Sequence, residues 1–107
     1  MNLPYFDLTG KVAIVTGGAT GIGRGISDGL ADAGVTIVLA SRRVNVLEKA
    51  CNEISEQTGV TTYPHRLDIT STEEITTLVD DVVRKFGRID ILVNNAGVGG
   101  SLSAIPI

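Results

Sequence analysis

A run of regularly spaced glycines is the part of this sequence best suited to chemistry. It reads Thr16-Gly17-x-x-x-Gly21-x-Gly23. Glycine permits a tight turn and lets the backbone approach a pyrophosphate, whose charge then lies at the N-terminus of the following helix. A side chain at Gly21 or Gly23 would hold the backbone away from the ligand or from the helix. The alternative is an ordinary tight turn, because glycine is common in turns.

The elements around the glycine turn favour the phosphate-binding interpretation. Residues 11–16 are an almost continuous β-branched run, typical of a strand buried on both faces. After the turn, apolar residues recur at helical spacing as far as Ala33, and Gly34 stands where a C-terminal cap belongs. A strand, a glycine turn and a helix in this order are the context that a dinucleotide-binding turn requires. Gly25 and Gly29 lie inside the helix, where we expect them to allow close packing against a sheet.

The alternation of strand and helix continues to about residue 97. Residues 35–40 are predicted as a second buried strand and residues 90–93 as a fourth strand. Residues 61–67 are predicted as an edge strand, because Pro64 cannot donate to a ladder. Two further helices are predicted from the spacing of their apolar residues, which are Val44, Leu47, Cys51 and Ile54 in one, and Ile75, Leu78, Val79, Val82 and Phe86 in the other. Ser71 and Glu74 form a capping-box pattern, and residues 98–107 are predicted as a loop. This order implies parallel strands joined by right-handed crossovers, an α/β fold.

The residues that end the second strand bear on which dinucleotide would bind. An NAD-selective site places Asp or Glu roughly 20 residues beyond the glycine turn, where it bonds the ribose 2′-hydroxyl. Here that place reads Ser41-Arg42-Arg43, without a carboxylate before Glu48. A hydroxyl and a planar guanidinium suit a 2′-phosphate, so the sequence favours NADP(H) over NAD(H). Two alternatives remain open, namely that the arginines only solvate a helix start and that both cofactors are used.

Composition excludes several other classes of function. A net charge of -3 without a block of like charge gives no reason to expect nucleic acid or an anionic membrane as partner. No apolar run approaches the length of a membrane span, and no His, Cys, Asp or Glu cluster has metal-ligand spacing, so we expect no metal. The single cysteine, Cys51, and the absence of a signal-like N-terminus fit a cytoplasmic location. We expect Cys51 to be a core residue and the lone His65 to be a partly exposed polar residue.

Two of these motifs together resemble a known family. Thr16-Gly-Gly-Ala-Thr-Gly-Ile-Gly23 resembles the coenzyme-binding signature of classical short-chain dehydrogenases/reductases, and Asn94-Asn-Ala-Gly97 resembles the second signature of that family. The resemblance implies a Rossmann-type doubly wound parallel sheet with its first four strands in the order 3-2-1-4. It also implies that residues 1–107 are the N-terminal portion of a single NAD(P)-binding domain, with the strand at 91–93 as an uncovered edge.

The resemblance, together with the glycine turn and the end of the second strand, assigns a set of cofactor-binding residues. By resemblance Asp68 contacts the adenine amino group, the backbone of Ile69 belongs to the same pocket, and Asn94 approaches the adenosine ribose. Asp68 can also serve as a turn residue, and for Asn95 a structural role is at least as plausible as contact with the ligand. The full set is Gly17, Thr20, Gly21, Ile22, Gly23, Ser41, Arg42, Arg43, Asp68, Ile69, Asn94, Ala96 and Gly97.

The reaction that the resemblance implies needs residues that this sequence does not contain. Members of the family use a serine and a Tyr-x-x-x-Lys pair, in which the tyrosine transfers a proton. The only tyrosines, Tyr5 and Tyr63, are followed four residues later by Thr9 and Leu67, so we name no catalytic residue. We expect a fragment that is inactive alone, from a parent that moves hydride between NADP(H) and a carbonyl/alcohol pair as a homotetramer or dimer. The alternatives are a non-catalytic dinucleotide-binding module and a structural piece that docks onto other polypeptide.

Overall fold

Strands and helices alternate along the chain as the apolar pattern predicts. The computed structural model describes residues 7–95 and 103–106. Its elements are β1 (Val12–Thr16), α1 (Gly21–Asp32), β2 (Thr36–Ser41), α2 (Val44–Thr58), β3 (Thr62–Arg66), α3 (Thr72–Phe86), β4 (Ile91–Asn94) and β5 (Ser103–Pro106). Among the described residues, no helix is long and apolar enough to cross a membrane.

The strands form one sheet in the order β3-β2-β1-β4-β5. The first four strands in this order pair in parallel, so the predicted order 3-2-1-4 is confirmed. The strand that contains Pro64, β3, lies at the edge of the sheet, as predicted. Thr16, the last residue of β1, is level with Ala40 of β2 and Asn94 of β4. The carboxyl ends of the central strands therefore lie at one edge of the sheet, which is where ligands bind in open α/β folds.

The tail does not follow its prediction. Residues 103–106 were expected as loop, but they form β5, which runs antiparallel to β4 with Leu92 opposite Ile105. The expectation that β4 would be an uncovered edge is therefore wrong as well. An unpaired strand edge presents a row of free N–H and C=O groups, and β5 supplies partners for them. A four-residue strand that ends in proline carries too little alternation to be recognised from its sequence.

Two layers of apolar side chains hold the helices on the sheet. On one face, Ala13 and Val15 pack with buried residues of α1 and α2, such as Ala31 and Leu47. On the other face, Val12 and Ile14 pack with Leu78 and Val82 of α3. All five residues of β1 are buried, which confirms a strand covered on both faces and places the glycine turn at the end of the most enclosed strand.

The capping box of α3 is only half formed. The Oγ of Ser71 accepts a hydrogen bond from the backbone N of Glu74 at 3.2 Å, as predicted. The reciprocal bond is absent, because the Ser71 N donates to the Asp68 carbonyl and the Glu74 carboxylate accepts from the Asp68 N and from Arg66. On the same helix Leu78 and Val82 are buried, whereas Ile75 and Val79 are each 39% exposed.

The role expected for Gly25 and Gly29 is wrong. Both lie on the exposed face of α1, and a Cβ added at either glycine would meet nothing within 4 Å. The close contact between α1 and the rest of the molecule is made instead at Gly23, on the buried face of the helix. Gly25 and Gly29 therefore carry the conformational-entropy cost of glycine in a helix. No neighbouring group occupies the space that a side chain at either position would fill.

Replacing Gly25 or Gly29 by alanine is therefore expected to stabilise the chain. Each substitution should raise the free energy of unfolding by about 0.5–1 kcal/mol, because alanine loses less backbone entropy when the helix forms. Urea denaturation of the two single variants and of the unmodified chain measures the change. A fall in the free energy of unfolding would contradict the placement of these glycines on open surface.

Candidate nucleotide-binding site

The glycine turn joins β1 to α1 through two backbone conformations that favour glycine. Gly17 has φ +65° and Gly21 has φ +58°, both in the left-handed region. Gly17 also donates its N–H to the Ala40 carbonyl of β2 at 3.0 Å, which fixes the start of the turn against the neighbouring strand. A Cβ at Gly21 would meet nothing within 4 Å, so the requirement for glycine there is its backbone conformation and not a lack of space.

Gly23 meets a different requirement, which is close approach. A Cβ at this position would lie 2.1 Å from the Gly17 carbonyl oxygen and 2.7 Å from Nδ2 of Asn95. The first turn of α1 therefore packs directly on the backbone of the glycine turn and on the residue that follows β4. The third glycine of the motif thus sets the distance between helix, turn and sheet.

Two residues that sequence reasoning did not assign complete this packing. A Cβ at Gly18 would lie 2.7–2.8 Å from side-chain atoms of Leu39, Ser27 and Val15. The fully buried Ser27 hydroxyl lies 2.9 Å from the Gly23 carbonyl and 3.2 Å from the Gly18 carbonyl. Ser27 thereby links the first turn of α1 to the glycine turn. A serine among apolar residues on the buried face of the helix was the available signal.

The N-terminus of α1 lies open at this edge of the sheet. Thr20 occupies the N-cap position with extended backbone and makes no side-chain cap hydrogen bond, and the first turn contains no acidic residue. Ile22 in that turn is 62% exposed. Uncapped amide groups at a helix N-terminus carry partial positive charge and suit an anionic ligand.

The end of β2 brings a hydroxyl and two cations beside the turn. Ser41 Oγ accepts a hydrogen bond from the Arg43 N at 3.2 Å, and a hydroxyl that accepts can still donate its own proton. Arg42 and Arg43 are exposed, and neither forms an ion pair with another residue that the structure describes. Their guanidinium groups are therefore available to an external anion.

The loop between β3 and α3 places Asp68 at the same edge. Its Oδ1 accepts from the backbone N of Thr70 at 3.0 Å and from the Thr70 hydroxyl at 2.7 Å. These hydrogen bonds hold the pKa of Asp68 below its ordinary value, and the charges of Arg42 and Arg66 lower that pKa further. Asp68 is thus an ionised acceptor near Arg42, and Ile69 beside it is 38% exposed.

Thr16 connects the end of β1 to the second motif. Its hydroxyl lies 3.1 Å from Oδ1 of Asn94 and 3.3 Å from the Val93 carbonyl, and it accepts from the Asn95 N at 3.1 Å. Asn94 is exposed at the end of β4. Sequence reasoning included Thr16 in the motif but did not assign it a role. Ala96 and Gly97, the remaining predicted contacts, lie outside the described residues.

Two other potentially reactive side chains, Cys51 and His65, contact neighbours within the fold. Cys51 is 2% exposed, and burial raises the pKa of its thiol, so the residue stays a neutral core side chain. His65 is partly buried, with its ring nitrogens 2.7 Å from the Arg66 carbonyl and 2.9 Å from Asp81 Oδ2. No group of three or more His, Cys, Asp and Glu side chains that could hold a metal ion occurs among residues 7–95.

The glycine turn, the ends of β2 and β3 and the end of β4 thus surround one position at the carboxyl edge of the sheet. Residues 11–105 match the family described as short chain dehydrogenase. The chain belongs to the short-chain dehydrogenase/reductase family. The Rossmann-type fold that the sequence predicted agrees with this membership, and so does the coincidence of both motifs at one edge.

Members of the family that are similar to this chain include enzymes with different substrates. The chain is 42% identical over 99 residues to a 7alpha-hydroxysteroid dehydrogenase of Escherichia coli, covering 92% of this chain and 38% of the relative. It is 44% identical over 90 residues to a probable 2,4-dienoyl-CoA reductase of Caenorhabditis elegans, covering 83% and 29%. The solved L-sorbose reductase of Gluconobacter frateurii, complexed with NADPH and L-sorbose, is 40% identical with a TM-score of 0.83, covering 88% and 36%. The chain therefore spans about a third of the length of these proteins.

Proposed function

We propose that this chain is the cofactor-binding half of an oxidoreductase that transfers hydride between NADP(H) and a carbonyl/alcohol pair. The observation that carries the preference for NADP(H) is the end of β2, where Ser41, Arg42 and Arg43 stand beside the glycine turn without a carboxylate. The sorbose reductase, whose fold this chain shares, was solved with NADPH. Membership of the family supports dinucleotide binding in general, and the β2 residues support the choice between the two dinucleotides.

The 2′-phosphate would be recognised by charge and by geometry. The exposed guanidinium of Arg42 offers paired N–H donors that match phosphate oxygens, with Arg43 as the second cation and the Ser41 hydroxyl as an additional donor. A carboxylate at this position would repel the phosphate and accept from a ribose hydroxyl instead. The arrangement therefore favours the phosphorylated cofactor.

The other site residues would hold the rest of the dinucleotide. The amides of Ile22 and Gly23, with Gly17, Thr20 and Gly21 shaping the turn, would bind the pyrophosphate at the start of α1. Asp68 and the backbone of Ile69 would bind adenine, and Asn94 would bind the adenosine ribose. Ala96 and Gly97 would lie along the cofactor. Asn95, which donates to Thr16 and packs on Gly23, would act on the fold of the site.

The bound cofactor supplies the hydride, and this chain binds and orients it. The 107 residues contain no Tyr-x-x-x-Lys pair, so we propose that they bind NADP(H) without turning over a substrate by themselves. In the complete protein, catalytic groups from other polypeptide would act on a carbonyl or an alcohol. We further propose a cytoplasmic protein that assembles as a tetramer or dimer of identical subunits.

Replacing Arg42 by alanine tests the proposed cofactor preference. We expect the dissociation constant for NADPH to rise about tenfold or more and that for NADH to stay within about twofold, because a hydrogen bond to a charged group contributes about 1.5–3 kcal/mol. Fluorescence titration of both cofactors measures the two constants. Arg84→Ala is the matched control, since this arginine is 76% exposed near the far end of α3 and should leave both constants unchanged.

Two results would contradict the proposal. If the unmodified chain bound NADH as tightly as NADPH, and Arg42→Ala changed neither constant, the β2 arginines would only solvate the start of α2. If the unmodified chain bound neither cofactor, it would be a structural piece that requires other polypeptide before any dinucleotide can bind.

A further inference from the structure

The side chain of Glu74 reaches back from the first turn of α3 to the loop that precedes it. Its Oε1 accepts from the Asp68 N at 3.1 Å and from Nη1 of Arg66 at 2.7 Å. The backbone N of Glu74 donates to Ser71 Oγ at 3.2 Å, and this hydrogen bond caps the start of α3 where the loop after β3 ends. One carboxylate thus ties the end of β3, the loop and α3 together.

Asp68 is held from two directions by these contacts. Glu74 binds its backbone N–H, and Thr70 binds Oδ1 of its carboxylate through both a backbone N–H and a hydroxyl. Within the described part of the chain, Oδ2 of Asp68 accepts no hydrogen bond. Because the backbone and one carboxylate oxygen are fixed, the direction in which the second oxygen points is fixed as well.

We propose that Glu74 is a positioning residue that sets the preference of this site for adenine over other purines. The inference rests on the proposed function, in which Asp68 receives the exocyclic amino group of adenine. An ionised carboxylate accepts from an amino group but repels a carbonyl oxygen in the same place. Discrimination between adenine and a purine that carries a carbonyl group in place of the amino group therefore depends on where Oδ2 of Asp68 lies. Glu74 determines the position of Oδ2 through the backbone of Asp68.

The ion pair between Glu74 and Arg66 supports this arrangement. Two carboxylates on adjacent segments would repel each other and push the loop away from the helix. The Arg66 guanidinium lies 2.7 Å from Glu74 and offsets this repulsion, so that Glu74 can accept from the Asp68 N beside a second carboxylate. Glutamine at position 74 would keep an acceptor for the Asp68 N but would lose most of the attraction to Arg66.

The preference itself is the readout that separates positioning from general stability. We would measure dissociation constants for NADPH and for its hypoxanthine analogue, in which a carbonyl replaces the amino group of adenine. The unmodified chain should favour NADPH by about tenfold, the scale of one hydrogen bond to a charged group. Glu74→Ala should reduce this ratio to about twofold or less, and Glu74→Gln should lie between them.

Glu73→Ala is the matched control. Glu73 is the neighbouring acid in the same first turn and is exposed, so its removal changes the charge at the start of α3 by the same amount. We expect it to leave the purine ratio unchanged. A second readout needs no cofactor: amide hydrogen exchange at Asp68 should be about tenfold faster in Glu74→Ala and unaltered in Glu73→Ala.

The outcomes distinguish this inference from the function on which it rests. If the unmodified chain bound no NADPH, the proposed function would fail and the role of Glu74 in purine choice with it. If NADPH bound but the purine ratio were the same in Glu74→Ala as in the unmodified chain, the positioning role would be overturned while the proposed function stood. Should Glu74→Ala fail to fold, Glu74→Gln decides by the same ratio.

Discussion

Alanine in place of Gly23 is expected to destabilise the chain by about 3 kcal/mol or more and to abolish cofactor binding. The new methyl group would overlap the Gly17 carbonyl oxygen, at 2.1 Å, and approach Nδ2 of Asn95 at 2.7 Å. Overpacking of a well-packed site costs about 1–3 kcal/mol when side chains can move, and here the nearest neighbour is backbone in a constrained turn. Relief therefore requires α1 to move away from the turn that would hold the pyrophosphate.

Gly25→Ala provides the matched control for this effect. It makes the same chemical change two residues later in the same helix, where a Cβ meets nothing within 4 Å. In urea denaturation Gly23→Ala should be less stable and Gly25→Ala more stable than the unmodified chain. In NADPH titration only Gly23→Ala should lose binding. Equal behaviour of the two variants would show that the close approach at Gly23 is not what the motif requires.

Most of the fold could be predicted because its elements have strong local signals. The β-branched run of β1 and the helical spacing of α2 specify the type of each element, and Pro64 specifies an edge. Parallel order then follows from the alternation of strand and helix. The position of β5 could not be predicted, since four residues acquire strand structure only from the β4 edge beside them. Gly25 and Gly29 were misjudged because spacing alone does not say which helix face meets the sheet.

The site was predictable where a motif fixes backbone geometry, and less so where it depends on hydrogen-bond partners. The positions of Gly17, Gly21 and Gly23 follow from the turn that they must form. The partner of Glu74 does not, because a carboxylate in the first turn of a helix can bind several donors. Here Arg66, at the end of a strand, draws it to Asp68 and away from the Ser71 N–H. Such choices depend on tertiary contacts that sequence spacing does not encode.

Thr16 is the remaining residue whose replacement should have a large effect. Valine keeps the shape of threonine but removes the hydroxyl that accepts from the Asn95 N and contacts Oδ1 of Asn94. Thr16 is 5% exposed and the N–H of Asn95 is partly buried, so this N–H would lose its acceptor within the protein. We expect Thr16→Val to lower the free energy of unfolding by about 2–3 kcal/mol, the scale of an unsatisfied buried polar group.

The hydroxyl of Thr16 also contacts the two asparagines that begin the second motif, so its loss is expected to weaken cofactor binding. Thr16→Ser keeps the hydroxyl and loses only a methyl group, so it should lose about 1 kcal/mol of stability and retain cofactor affinity. Thr16→Val should bind NADPH more weakly than Thr16→Ser even at temperatures where both are folded, because the hydrogen bonds between the Thr16 hydroxyl and the two asparagines are lost. Titration of both variants, with circular dichroism to confirm folding, measures this difference. Equal affinity in the two variants would mean that the backbone pairing of β1 with β4 is sufficient to place the asparagines.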